Sequence, residues 1–288
     1  MPIRSILVPL NGLDSDQATL DLALAVARDS DAHIAALWVK QDPGEALAAI
    51  GMGAEGMALQ QVADRIAREA EEASAGARRG FDAWRTAHDL PEVDKPGRAK
   101  QVSVAYRERI GPIGATIVEA GRVVDLIVQT GLSEQRPRAP ELAIEAALFE
   151  TGRPVLIAAK TSPAVLFDTA VVAWNGSLEA NRAVAAAMPL LVRYKQLFVF
   201  CHTEPHRPSA DSMELIDYFA WHGLKADRLA VYQEHGAVGP DLLAAAKRVS
   251  AGLLVMGAYT HGRLRQMLFG GVTDHVLRHA VLPVLFAH

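Results

Sequence analysis

Cysteine, aromatic residues and long apolar runs are all scarce in this chain of 288 residues. The single cysteine, Cys201, rules out an internal disulfide and fits a reducing compartment. Aromatic residues make up 6% of the chain and hydrophobic residues 50%, which is typical of a well-cored α/β protein rather than a disordered or fibrous one. The apolar run at the N-terminus is too short for a signal peptide, and no run reaches the roughly 18 residues of a membrane span. We therefore expect a soluble, cytoplasmic protein.

Charge and catalytic patterns exclude further classes of protein. The net charge of −4 and the isoelectric point near 6.2 give no broad attraction to nucleic acid or to an anionic membrane. The sequence has no Gly-x-Ser-x-Gly, no His-Glu-x-x-His and no P-loop lysine, and no nucleophile stands beside a base. His275 and His279 have helical spacing but no third ligand, so we expect surface positions rather than a metal site. An enzyme is therefore not the expected class.

Two parts of the chain share one pattern, which indicates an internal duplication. Segments 6–12 and 170–176 are each an apolar strand that ends in Asn-Gly, at Asn11 and Asn175. Each is followed by a helical run rich in alanine and leucine, and then by a second apolar strand. Later strands match as well, 125–130 with 252–257 and 154–157 with 283–286.

The first copy is longer than the second. Matching positions are 164 residues apart at the first strand but 127 apart at the fourth, so about 37 residues are inserted in the first copy. Residues 55–88 are rich in Ala, Glu, Gln and Arg and have apolar side chains at helical spacing, which predicts one long amphipathic helix. The short linker at 160–165 sets a boundary near residue 161, which gives domains 1–161 and 162–288.

Each copy alternates short apolar runs with helical segments, and the runs lack strict in/out alternation. Parallel strands covered on both faces have this pattern, so we predict the α/β class, with two doubly wound, open parallel sheets of the Rossmann-like kind. Such sheets bind ligands beyond the carboxyl ends of their strands, where the strand order reverses. Asn11, Asn175 and the loop after Met256 lie at such ends. In the second copy the predicted strands are 170–175, 197–202, 228–233, 252–257 and 283–287, and the predicted helices are 178–192, 210–223, 239–250 and 271–280.

The second copy contains a candidate nucleotide site. Asn175 offers a carboxamide to an adenine or a ribose; the alternative is that Asn175 or Ser177 only caps the next helix. After the strand that ends at Gly257, a glycine-bearing loop leads to a helix that opens with two more glycines. Glycines allow close backbone approach, and the first turn of a helix offers N–H groups to an anion; the alternative is a plain connection whose glycines only set its turns. The candidate phosphate-loop residues are Gly257, Gly262, Gly270 and Gly271, with Arg263 and Arg265 as charge partners.

The corresponding loop of the first copy is predicted to be structural. After Gly131 it lacks the Gly-Gly pair, and Pro137 and Pro140 remove N–H donors that a phosphate would need. Glu134 and Glu141 add negative charge where an anion would sit. We therefore expect at most one nucleotide in each chain.

The second copy resembles the universal stress protein family, and the chain as a whole resembles the tandem, two-domain form of that family. Nucleotide-binding members carry the pattern Gly-x2-Gly-x9-Gly-Ser/Thr. Gly257 and Gly270 fill its first and third glycines. Thr260 stands at the second glycine, with a glycine two residues on, and Gly271 replaces the hydroxyl residue. Asn175 takes the place of the aspartate that usually closes the first strand.

The resemblance implies an adenine nucleotide alpha hydrolase-like fold and an adenine nucleotide, ATP or AMP, with no metal beyond Mg²⁺ accompanying it. Val272 and Thr273 extend the N-terminus of the last helix, and Thr273 is the candidate replacement for the lost hydroxyl. Single-domain members dimerise through their final strand. We therefore expect segments 154–158 and 283–287 to pair as an internal pseudo-dimer, and a further homodimer stays open.

Three functions follow from these patterns. The first is a cytoplasmic stress-response protein without turnover that holds one adenine nucleotide in its second domain. The second is a non-nucleotide scaffold, in which the inserted helix 55–88 serves a protein partner or another small ligand. The third is a slow ATPase, which the sequence supports least because no general base or metal-binding carboxylate pair accompanies the loop.

Overall fold

A computed structural model of the protein describes residues 2–40, 57–95, 97, 100–132, 138–159, 167–201, 212–230, 236–258 and 271–288. Strands and helices alternate along these segments, which confirms the predicted α/β class. The strands are β1 (Ser5–Pro9), β2 (His33–Lys40), β3 (Ser103–Ile110), β4 (Leu126–Thr130), β5 (Val155–Ala158), β6 (Thr169–Ala173), β7 (Gln196–Phe200), β8 (Ala226–Arg228), β9 (Leu253–Gly257) and β10 (Val284–Ala287). The helices are α1 (Ser15–Ala27), α2 (Met57–Ala87), α3 (Ile113–Gly121), α4 (Arg138–Glu150), α5 (Leu178–Leu191), α6 (Ser212–Trp221), α7 (Val238–Arg248) and α8 (Val272–His279).

The chain divides into two compact units. The N-terminal unit contains Ile3–Val128 and Arg138–Thr151. The C-terminal unit contains Gly152–His288, together with Gln129–Pro137 and the first two residues. Strand β5, which comes from the first sequence copy, therefore groups with the second. The predicted boundary near residue 161 lies outside the described residues.

Parallel strands in the order β3-β2-β1-β4 form the sheet of the first copy. Ser5 of β1 aligns with His33 of β2, which in turn aligns with Ser103 of β3. The central residues of β1, Ile6 and Leu7, are at most 2% exposed. Burial on both faces explains why these strands appear in the sequence as continuous apolar runs.

The inserted segment forms the long helix that the sequence predicts, and it packs on the N-terminal unit. Phe81 and Trp84 lie on its apolar face and are 1% and 5% exposed. The indole N–H of Trp84 donates to the Asp21 carboxylate of α1 over 2.8 Å. The guanidinium of Arg78 lies 5.0 Å from the centre of the Tyr106 ring on β3. Burial of its apolar face and the hydrogen bond from Trp84 to α1 thus hold helix α2 against its neighbours.

The C-terminal unit has the strand order β5-β10-β9-β6-β7-β8. Its neighbours pair in parallel, except that β10 pairs antiparallel with β5, Leu285 opposite Leu156. The two final strands of the duplicated pattern therefore lie side by side, as expected. The order β8-β7-β6-β9 repeats the order β3-β2-β1-β4 of the first copy, which agrees with a duplication.

Two smaller sequence predictions can be compared with the structure. Strand β8, at Ala226–Arg228, begins earlier than the predicted 228–233, and residues 231–233 of that range lie outside the described residues. Cys201 directly follows β7 and is 4% exposed, so the thiol is buried as predicted. Among the helices that the structure describes, none is both long and apolar enough to cross a membrane.

Candidate functional site

The carboxyl edge of the C-terminal sheet brings two predicted site residues to neighbouring strand ends. Strand β6 pairs with β7 on one side and with β9 on the other, so the strand order reverses between β6 and β9. Asn175 follows β6 closely, and Gly257 is the last residue of β9. This is the switch point at which sheets of this kind form ligand crevices.

Gly257 is needed for close packing at this edge. A Cβ atom built on Gly257 would lie 2.5 Å from the backbone nitrogen of Ala180 and 2.7 Å from the carbonyl carbon of Glu179. Both atoms belong to the first turn of α5, so strand β9 ends directly against the start of that helix. The glycine that the sequence suggests for phosphate binding thus has an immediate structural reason, which is contact between helix and strand.

Asn175 and Ser177 both form local hydrogen bonds at the start of α5. The Ser177 hydroxyl accepts from the Ala180 N–H over 3.1 Å and is the N-cap of the helix. The carboxamide oxygen of Asn175 accepts from the Ser177 N–H over 3.1 Å, and Gly176 between them has φ +71°. The capping alternative is therefore present in the structure. The Asn175 side chain is also exposed, so the residue remains accessible to a ligand.

Helix α8 begins at a glycine in a conformation that other residues rarely adopt. Gly271 has φ +97° and ψ −160°, and it makes no side-chain cap for the helix. A serine or threonine here would be strained, so glycine suits the backbone conformation at this position. Val272, the first helical residue, is half-buried, and Thr273 is 7% exposed. The Thr273 side chain therefore lies inside the unit.

The remaining predicted phosphate-loop residues lie outside the described residues. They are Thr260, Gly262, Arg263, Arg265 and Gly270. Their roles stay predictions.

The two histidines of α8 stack on each other rather than gathering around a metal. The ring centroids of His275 and His279 are 4.3 Å apart, and the two ring planes are inclined to each other by 20°. A Cβ atom at Gly239, in the first turn of α7, would come within 2.9 Å of the His275 ring. Burial, and then the nearby His279, lower the pKa of His275 below its ordinary value. Within the described segments, no group of three His, Cys, Asp or Glu side chains is placed to hold a metal ion.

The equivalent strand end of the first copy carries a feature that the sequence analysis missed. Asn11 forms the same turn as Asn175: its carboxamide oxygen accepts from the Leu13 N–H over 2.8 Å, and Gly12 has φ +77°. Here a carboxylate is added. Asp16 accepts from the Asn11 N–H at 3.0 and 3.1 Å and from the Gly12 N–H at 2.8 Å. Burial raises the pKa of Asp16 to about 6, although the backbone hydrogen bonds act in the opposite direction.

Only a weak signal for this contact is visible in the sequence. Asp16 stands among several acidic residues near the start of α1, where a favourable interaction with the helix dipole is an adequate explanation. A direct alignment of the two copies, with the offset of Asn11 from Asn175, pairs Asp16 with Ala180. The presence of an acidic residue in one copy and alanine in the other is the sequence signal for this contact.

Doubly wound α/β folds place their ligand sites at the switch points of their sheets, and the duplicated chain has one such point between β6 and β9. Residues 166–288 match the model of the universal stress protein family. This part of the chain is therefore similar to a universal stress protein domain. No curated protein matches the chain in sequence.

Solved structures extend the similarity in fold to both copies. A universal stress protein from Archaeoglobus fulgidus DSM 4304 is 17% identical, with a TM-score of 0.68, over 98% of this chain and 95% of that one. A putative universal stress protein from Pseudomonas aeruginosa UCBPP-PA14 is 17% identical, with a TM-score of 0.52, over 99% and 93%. A functionally unknown protein from Pseudomonas aeruginosa PAO1 is 16% identical, with a TM-score of 0.52, over 99% of this chain and 92% of that one. The tandem arrangement of this fold is therefore shared along the full length of these proteins.

Proposed function

We propose that this protein is a cytoplasmic stress-response protein that holds one adenine nucleotide, ATP or AMP, in its C-terminal copy and does not turn it over. The observation that carries the proposal is the contact of Gly257 with the first turn of α5 at the β6/β9 switch point. A residue with a side chain would separate the strand end from the helix and alter the crevice. Nucleotides bind at this location in doubly wound sheets.

The start of α8 supplies a second element of the proposed site. Gly271 is exposed and lacks a capping side chain, so it does not block the first N–H groups of the helix from the outside. Such N–H groups, together with the positive end of the helix dipole, favour a phosphate. Mg²⁺ would enter with the nucleotide rather than on a protein site of its own.

The proposal is tested by removing one N–H group at the start of α8. Val272 is the first helical residue, a position where proline is tolerated because its fixed φ suits the helix. In equilibrium dialysis with ATP, ADP and AMP, Val272→Pro should weaken binding about tenfold, as expected when a charge-assisted hydrogen bond is lost.

The matched control is Val238→Pro, which places proline at the first position of α7 in the same unit. Its N-cap residue, Ala237, is extended, as a residue before proline prefers to be. This variant should bind nucleotide like the parent chain. If the intact chain binds none of the three nucleotides at millimolar concentration, the nucleotide proposal is wrong.

A second candidate function is supported by exposed apolar side chains on α6. Trp221 is 89% exposed, Met213 51% and Tyr218 40%. A large exposed apolar side chain favours a binding role when it belongs to a patch. In this alternative the protein is a scaffold for a protein partner or a different small ligand. Native mass spectrometry of the purified chain separates the two, because a retained metabolite that is not a nucleotide would favour the scaffold.

A further inference from the structure

The strand-end loops of the two copies have the same backbone arrangement but differ in one acceptor. In both, an asparagine carboxamide accepts from the N–H two residues on, over 2.8 Å at Asn11 and 3.1 Å at Asn175. In both, the following glycine has a positive φ, +77° at Gly12 and +71° at Gly176. The N–H groups of the asparagine and the glycine therefore occupy comparable positions in the two loops.

In the first copy these two N–H groups are already occupied. The carboxylate of Asp16 accepts from both, with three contacts between 2.8 and 3.1 Å. Asp16 is half-buried, and its desolvation is strong enough to raise its pKa to about 6. The two backbone donors act in the opposite direction, because they stabilise the charged form of the carboxylate.

In the second copy the residue at the corresponding position is Ala180, which has no acceptor to offer. Its own N–H donates to the Ser177 hydroxyl. Among the described residues, none accepts from the N–H of Asn175 or of Gly176, and both residues are exposed. Within the described part of the chain, the same pair of donors therefore has a carboxylate acceptor in the first copy and no acceptor in the second.

We propose that Asp16 is a built-in carboxylate that closes the first copy to ligand, and that alanine at position 180 is the specificity-determining difference that leaves the second copy open. The chemistry that would take the place of Asp16 in the second copy is an oxygen acceptor of the bound nucleotide. In this form the inference rests on the proposed function, because it concerns which of the two copies takes the nucleotide.

The test transfers the carboxylate between the copies. Ala180→Asp should weaken binding of AMP and ATP in equilibrium dialysis by at least about tenfold, since its carboxylate competes for the donor pair. The matched control is Leu178→Asp, two residues earlier and 56% exposed, which adds the same charge at the same helix start. It corresponds to Asp14, which makes no capping bond in the first copy. We expect Leu178→Asp to bind within about threefold of the parent chain, because exposed charges are screened.

A second measurement does not depend on nucleotide binding. Amide hydrogen exchange, followed by NMR of the labelled chain without ligand, should be slow at Asn11 and Gly12 and fast at Asn175 and Gly176. Asp16→Ala should speed exchange at the first pair about tenfold or more, in line with the loss of hydrogen bonds to a charged acceptor. Ala180→Asp should slow exchange at the second pair by a similar factor.

The outcomes separate the two proposals. If the parent chain binds no nucleotide, the proposed function is overturned. The amide exchange rates at Asn11 and Gly12 would still decide the role of Asp16. Unchanged exchange at Asn11 and Gly12 in Asp16→Ala would overturn the inference. So would parental nucleotide affinity in a folded Ala180→Asp variant, or an equal loss of affinity in Leu178→Asp. If Ala180→Asp does not fold, judged by circular dichroism, Asp16→Ala alone decides.

Discussion

The carboxyl edges of the two copies share one sequence pattern but differ in their hydrogen bonds and packing. At the first edge the turn after β1 is closed by the carboxylate of Asp16. At the second edge the turn after β6 is capped by Ser177, and β9 reaches the helix directly through Gly257. Duplication thus preserved the turn and changed the atoms around it. We propose that the occupancy of these backbone donors decides which edge takes a ligand.

The contact at Gly257 should be the most sensitive point of this comparison. Gly257→Ala places a Cβ atom 2.5 Å from the Ala180 nitrogen, so the first turn of α5 must move. We expect the free energy of unfolding to fall by about 3 kcal/mol, at the upper end for overpacking. Urea denaturation measures it. The matched control is Gly80→Ala in α2, where a Cβ meets nothing within 4 Å and higher helix propensity should stabilise slightly. Equal effects of the two variants would contradict the close contact.

The Asp16 carboxylate should make the stability of the first edge depend on pH. Because burial raises the pKa of Asp16 from 3.8 to about 6, the folded state binds this proton more tightly than the unfolded chain does. The contribution to stability is therefore fully present below the unfolded pKa and is lost as pH rises through about 6, by about 3 kcal/mol in all.

Asp16→Asn should remove this part of the pH dependence. Thermal unfolding between about pH 4 and pH 7.5 measures the difference between variant and parent. The control is Asp14→Asn, because Asp14 is exposed and makes no capping hydrogen bond. An unchanged slope in Asp16→Asn would show that the carboxylate is not held in the buried position.

Gly271 provides a smaller test at the second edge. Gly271→Ser restores the hydroxyl residue of the family pattern but places a side chain at φ +97°. We expect a loss of about 1–2 kcal/mol in the free energy of unfolding without nucleotide. The control Ala280→Ser lies at the other end of α8, where φ is −63°. A Gly271→Ser variant as stable as the parent would mean that the backbone there relaxes freely.

The helix caps should show the smallest difference between the copies. Ser177→Ala removes the hydroxyl that accepts from the Ala180 N–H, which typically costs about 1 kcal/mol. Asp14→Ala, at the N-cap of α1, should cost less than about half of that because Asp14 makes no capping hydrogen bond. Urea denaturation of both variants under identical salt conditions measures the difference, and a reversed order would contradict the assigned caps.

Much of the fold could be predicted from periodicity and repetition, but little of the site could. Helix α2 was predicted at 55–88 and is found at Met57–Ala87, since a long amphipathic pattern is strongly helical. Strand β8 was placed too late, because a short edge strand with the polar residues Asp227 and Arg228 has no strong apolar run. The Asn175 turn was recognised as a cap or a binding position from its residue types alone.

The sequence by itself determined the α/β class, the duplication and the turns, because these depend on local periodicity and on residue types a few positions apart. Tertiary structure alone decided two other features. It placed Gly257 against α5, and it set β5 antiparallel to β10. Each joins atoms whose distance depends on how helices and strands pack, and that packing is not encoded in the spacing of residues along the chain.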